Sequence, residues 1–108
     1  MSIKKKVRDI IAEHSAELAK GTIGYFRANR KIWLTDGDYA GVYIWGDKIE
    51  IGLHLEFSDV CVFFVSGYDL DSVWRKFRYA FKKYIAKEEE YGNDKAFLGK
   101  LKELYSLL

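Results

Sequence analysis

The residues able to do acid–base, nucleophilic or metal chemistry are few in this chain. Its two histidines are His14 and His54, and its one cysteine is Cys61. His54 alternates with Glu50 and Glu56 at spacings that, on a strand, bring side chains to one side. A carboxylate–histidine pair there could move protons or act on a small molecule. A catalytic triad would need a nucleophile, a base and an orienting group to converge, and a zinc site would need more histidine or cysteine at ligand spacing. The sequence has neither pattern. It therefore reads as a non-enzyme, with no catalytic residue, no metal and no cofactor expected. His14 falls on the apolar stripe of a helix and reads as a satisfied structural histidine. Asp36, Asp38 and Asp47 stand at turns, where aspartate bonds its local backbone. Gly21-Thr22-Ile23-Gly24 has neither the lysine of a phosphate loop nor the dinucleotide glycine pattern.

Charge offers a second chemistry. The formal net charge of +2 says little, but residues 68–87 hold six of the 18 cations and two of the 16 anions. Arg75, Lys76, Arg78, Lys82 and Lys83, with Tyr79 among them, decorate one predicted helix and could track phosphates. Two features oppose this. An amphipathic helix must turn polar residues outward in any case. Glu88, Glu89 and Glu90 follow at once and would repel a nucleic-acid backbone.

The elements that position these residues follow from periodicity. Ser2 caps a first helix that ends at Lys20, with Ile3, Val7, Ile10, Ile11, His14 and Leu18 as its stripe. Five strands are predicted next: Thr22–Ala28, Lys31–Thr35, Tyr39–Trp45, Lys48–Phe57 and Val60–Ser66, with turns at Asn29-Arg30, Asp36–Asp38, Gly46-Asp47 and Ser58-Asp59. A second helix, capped by Asp69 or Asp71, runs to about Glu90. Gly92 stops it, and a third helix capped by Asn93 or Asp94 closes the chain. The expected fold is α+β: one domain over residues 1–108, a five-stranded antiparallel meander with an N-terminal helix and two C-terminal helices packed on one face, in the order α-β-β-β-β-β-α-α. Hydrophobic residues at 49% and aromatics at 17% exclude a disordered chain.

Register then sorts the side chains. A two-residue turn at Gly46-Asp47 pairs Ile44 with Ile49, Val42 with Ile51, Gly41 with Gly52 and Tyr39 with His54. A three-residue loop at Asp36–Asp38 puts Trp33 outward, opposite Gly41, with Ile32 and Leu34 inward. A two-residue turn at Ser58-Asp59 pairs Leu53 with Phe64 and puts Phe63 and Val65 outward, with His54 opposite Phe63. The outer face then carries Trp33, Tyr39, Gly41, Tyr43, Trp45, Glu50, Gly52, His54 and Phe63, with an open notch at the two glycines. A wide aromatic face on a small domain points to a partner. RNA-binding sheets also display rings, but their strand–helix order differs and Glu50 and Glu56 oppose phosphate.

The sequence thus leads us to expect a non-catalytic protein-binding module, of the size of accessory, inhibitor or immunity-type proteins, acting on another protein or on a second copy. Nucleic acid bound by the second helix is the alternative, and a small-molecule or enzymatic site at His54 the third reading. No apolar run approaches a membrane span, so no membrane partner is expected. The lone cysteine and the charged residues that follow Lys4–Lys6 favour a cytoplasmic setting.

Overall fold

The computed structural model describes residues 2–20, 27–56 and 61–108. Helix α1 spans Ile3–Lys20. The Ser2 hydroxyl accepts from the Lys5 N–H at 3.1 Å, as an N-cap should. Strands β1 (Arg27–Trp33), β2 (Tyr39–Trp45), β3 (Lys48–His54) and β4 (Phe63–Gly67) form one antiparallel sheet in the order β1-β2-β3-β4. Helix α2, Leu70–Tyr91, is capped by the Asp69 carboxylate, which accepts from the Ser72 N–H at 3.0 Å. Helix α3, Lys95–Ser106, is capped in the same way by Asp94.

The expected meander is present, with four strands rather than five. Asn29-Arg30 is not a turn. Asn29 pairs with Tyr43 and Arg30 with Val42, so the chain runs straight through. Arg30 reads as loop because it is a charge at an inner-face position, and α1 supplies the reason. Glu13 lies 3.8 Å from the Arg30 guanidinium, across the gap between helix and sheet. Thr22–Phe26, the rest of the expected first strand, lies outside the described residues.

The β2–β3 hairpin has the register its pattern predicts, from Trp45 opposite Lys48 to Tyr39 opposite His54. Gly46 takes φ 61°, which the first central position of a two-residue turn demands. The β1–β2 pairing is offset by two residues from expectation: Trp33 faces Tyr39, and Lys31 faces Gly41. An even offset keeps every side chain on its expected face, so Ile32 is buried and Trp33 is outward. The β3–β4 pairing is offset by one. Leu53 faces Phe63, and Gly52 faces Phe64. An odd offset exchanges faces, so Phe63 and Val65 turn inward and Phe64 outward. The expected turn at Ser58-Asp59 lies outside the described residues.

Strand β3 ends at His54 because the Glu56 N–H donates to Asp38 Oδ1 at 3.0 Å instead of continuing a ladder. Asp38 is fully buried and richly bonded. The Thr35 hydroxyl donates to its Oδ2 at 2.7 Å, and Lys100 Nζ approaches the same oxygen at 3.1 Å. Burial alone would raise its pKa. The Thr35, Glu56 and Lys100 contacts outweigh burial and hold the carboxyl below the ordinary carboxylate range. One side chain therefore fastens the β1–β2 turn, the end of β3 and α3.

The inner face is a single apolar core. Ile32, Ala40, Val42, Ile44, Ile49, Ile51 and Leu53 meet Ile3 and Val7 of α1, Val73, Trp74, Phe77 and Phe81 of α2, and Leu101 and Leu104 of α3. Helix α1 lies over β1 and β2, α2 over β3 and β4, and α3 packs on α2. Lys4 at the start of α1 opposes that helix's dipole, but its ammonium finds Asp71 at the start of α2, 2.6 Å away. His14 corrects one expectation: it is buried, yet among the described residues neither ring nitrogen has a hydrogen-bond partner. Its burial is an uncompensated polar cost rather than a satisfied contact.

Candidate interaction surface on the outer sheet face

With the helices on the inner side, no helix of the described residues lies over the outer face. Alternation along β2 and β3 sends Tyr39, Gly41, Tyr43 and Trp45 outward, together with Lys48, Glu50, Gly52 and His54. Strand β1 adds Lys31 and Trp33, and β4 adds Phe64 and Ser66. The centre of this face is a locked cluster. The His54 imidazole stacks on Tyr39 with centroids 4.6 Å apart and planes within 6°. Trp33 tilts against Tyr39 at 5.0 Å, and Lys31 Nζ sits 4.9 Å from the Tyr39 centroid. On the other side, Tyr43 Oη and His54 Nε2 are 3.3 Å apart.

The electrostatics follow from crowding. Burial lowers the His54 pKa, and the Lys31 charge lowers it further. Burial likewise raises the Tyr43 hydroxyl, with smaller contributions from Tyr39, Cys61 and Glu50. Both groups are therefore neutral at neutral pH, and their contact joins two uncharged rings. Of the two carboxylates expected beside His54, Glu50 is on this face and Glu56 is not. Glu56 has left the strand: its side chain fills the space beside Gly37, and a carboxylate oxygen lies 3.7 Å from Lys100. Among the described residues, no three His, Cys, Asp or Glu side chains are grouped to hold a metal ion.

The glycine notch is filled by the protein itself. A Cβ on Gly41 would lie 3.0 Å from His54 Nε2 and 3.1 Å from the Tyr43 ring. A Cβ on Gly52 would collide with the Cys61 sulfur and lie 3.3 Å from the Phe63 carbonyl oxygen. Burial raises the Cys61 thiol, which donates to that carbonyl at 2.9 Å. The glycines are there so that His54, Tyr43 and Cys61 can press onto the strands. A partner has no entry at Gly41 or Gly52. It would meet the rings around them instead: Trp33, Trp45 and Phe64 are 52%, 53% and 62% exposed.

Phe63, expected on this face, is a correction. Its ring is partly buried against the core, 5.5 Å from Phe77 and Phe81 and 6.0 Å from Tyr84. Phe64 is the outer-face ring that periodicity missed. The run Val60–Val65 is apolar throughout, so it shows no alternation from which to choose a face.

The cationic residues of α2 do not share one surface. Lys76 donates to the Ser66 carbonyl at 3.1 Å, beside the open edge of β4. Lys83 lies 5.6 Å from the Tyr79 ring centroid and lines a shallow groove with Phe63, Ala80, Tyr84 and Lys87. Arg75, Arg78, Tyr79 and Lys82 line a second groove, with Trp74 and Tyr105. Tyr105 reads in the sequence as part of the apolar stripe of α3, and only the packing of α3 on α2 brings it to the cations.

No helix of the described residues is long and apolar enough to cross a membrane. No family model matches the chain, and neither a curated protein nor a solved structure is found to be similar to it.

Proposed function

We propose that the chain is a non-catalytic protein-binding module that works through the outer sheet face. One observation carries this reading: three large rings, Trp33, Trp45 and Phe64, are each more than half exposed on a sheet face that also carries the stacked Tyr39–His54 pair and that no helix of the described residues covers. Trp and Tyr contribute most where they bury large area and have few torsions to freeze. Stacking and the Tyr43–His54 contact freeze the central rings in advance, which lowers the ordering cost of association. Lys31, Lys48 and Glu50 border the rings and supply the polar rim of such a surface.

The test is a folded variant with Trp33→Ala, Trp45→Ala and Phe64→Ala. A partner captured by the parent chain is identified, purified and titrated against both proteins, and the oligomeric mass of each is measured by light scattering. Each single replacement is expected to weaken association by about 1–3 kcal/mol with little change in Tm. If the triple variant keeps the partner affinity and oligomeric mass of the parent, the reading is wrong.

A second reading, nucleic-acid binding by α2, is supported by the groove that gathers Arg75, Arg78 and Lys82. The turning of Lys76 to the Ser66 carbonyl, and the acidic Glu88–Glu90 end of the helix, weigh against a long strand running along it.

A further inference from the structure

Among the described residues, four cations pair with carboxylates. Lys4 has Asp71, Arg30 has Glu13, Lys100 has Asp38 and Glu56, and Lys102 has Glu89. The groove between α2 and α3 is different. It encloses about 370 Å³ and is lined by Trp74, Arg75, Arg78, Tyr79, Lys82 and Tyr105. Among the described residues, none of its three cations is ion-paired and no carboxylate lines it. Arg75, Arg78 and Lys82 fall on one face of α2 within about 10 Å, because a helix rises about 1.5 Å per residue.

Tyr105 shows what this arrangement attracts. Its hydroxyl accepts from Arg78 Nε at 3.4 Å and Nη2 at 3.3 Å, and its ring lies under both Arg78 (5.5 Å) and Lys82 (5.8 Å). Burial would raise the phenol, but hydrogen bonds and charge from Arg78 and Lys82 prevail and lower it. The groove therefore favours negative charge where the hydroxyl sits. A guanidinium carries five N–H donors, so Arg78 keeps donors to spare after Tyr105 is served. Trp74, nearly buried and stacked on Phe77, makes an apolar floor, while the Tyr79 ring is 64% exposed at the side. Converging guanidinium and ammonium groups over an aromatic floor match the oxygens of a phosphoryl group better than a single carboxylate.

Size selects among phosphate-bearing ligands. A strand of nucleic acid needs cations in a continuing row. Here the row is short: Asp71 lies beyond Arg75, Glu88–Glu90 lie beyond Lys82, and Lys76 turns away to the Ser66 carbonyl, while Lys83 rests against the Tyr79 ring at 5.6 Å. We propose that the α2–α3 groove binds a small phosphorylated molecule, its phosphoryl oxygens held by Arg75, Arg78 and Lys82 and any ring it carries laid on Tyr79. This site is separate from the outer sheet face and stands or falls without it.

The test is calorimetric titration of the full chain at low ionic strength, with inorganic phosphate, pyrophosphate, ADP and a short single-stranded oligonucleotide in separate arms. Saturable one-to-one binding of a small phosphate compound is expected. Arg78→Gln and Arg75→Gln, each checked for an unchanged Tm, should weaken it by about tenfold. Lys5→Gln, an exposed cation on α1, should leave it intact. ADP bound more tightly than pyrophosphate would support a ring on Tyr79, and equal affinities would support phosphate recognition alone. The proposal fails if no small phosphate compound saturates the protein, if only the oligonucleotide binds, or if binding survives both arginine replacements. Arg75→Gln does not touch Tyr105, so it separates lost binding from a disturbed α2–α3 contact.

Discussion

Phe63 and Phe64 are neighbours in the chain, identical in type, and on opposite sides of one strand. Phe63 packs among Phe77, Phe81 and Tyr84, while Phe64 stands 62% exposed beside Gly52. The pair divides the molecule into two regions with different physics. Inside, apolar area is removed from water by three helices, and each ring contributes to folding. Outside, the rings rest on the sheet and on one another. Their apolar area stays in contact with water. An aromatic count cannot distinguish the two regions, because both are rich in rings.

The largest expected effect breaks the comparison most directly. Phe63→Ala should destabilise the fold by about 3 kcal/mol, because it removes a ring packed against the core and leaves a cavity. Phe64→Ala should change stability by less than about 0.5 kcal/mol, as surface replacements do. Urea melts of the two variants side by side decide it. Equal losses would mean that the two faces are not energetically distinct, and a larger loss at Phe64 would reverse the β3–β4 register.

That register marks the boundary of what the sequence reveals. The β2–β3 hairpin was legible because two independent signals agree there, strict alternation on both strands and a glycine at the turn. Strand β1 was misread in part because Arg30 faces inward, and its partner Glu13 is remote in sequence. Strand β4 was misread because Val60–Val65 offers no polar residue to fix a face. On the outer surface, Trp33, Tyr39, Tyr43, Trp45 and His54 were placed correctly by period alone, since an offset of two preserves faces. The filling of the glycine notch was not legible. It depends on rotamers of His54 and Tyr43 and on where Cys61 lands, which no spacing rule specifies.

Asp38 gives the next effect and shows that the inner region is not only apolar. Asp38→Ala removes the acceptor of the Glu56 N–H and the Thr35 hydroxyl and leaves Lys100 with Glu56 alone, at 3.7 Å. A loss of about 2 kcal/mol is expected, typical of hydrogen bonds to a charged group, with a smaller loss for Asp38→Asn. The pH dependence has a definite sign. The folded pKa is depressed, so the contribution is complete above the ordinary carboxylate range and disappears as pH falls through the folded value. Acid unfolding curves should therefore run closer together for parent and variant at low pH than at neutral pH. If Asp38→Ala melts like the parent at neutral pH, the turn is held by something other than this carboxylate.

The smallest effect comes from the outer region and sharpens the contrast. His54 lies between Tyr39 and Tyr43 with its pKa lowered by burial and by Lys31. The folded protein thus holds the ring neutral, whereas the unfolded chain takes up a proton near the ordinary value of about 6.5. Below that value the unfolded state binds more protons, so the contribution of His54 is full above it and is lost as pH falls through the folded pKa. Protonation would also place a second cation beside Lys31, loosening the cluster that holds the outer rings. His54→Gln keeps a polar group near Tyr43 but cannot titrate in this range. Thermal melts of parent and His54→Gln between pH 8 and pH 5 should show a Tm difference that shifts against the parent as pH falls, with carboxylates common to both cancelling. Any captured partner should also release from the parent over the same range more readily than from His54→Gln. Parallel Tm profiles would show that the central cluster contributes nothing to folding that depends on a neutral imidazole. The outer face would then be a set of independently exposed rings, and its capacity to bind would have to rest on Trp33, Trp45 and Phe64 alone.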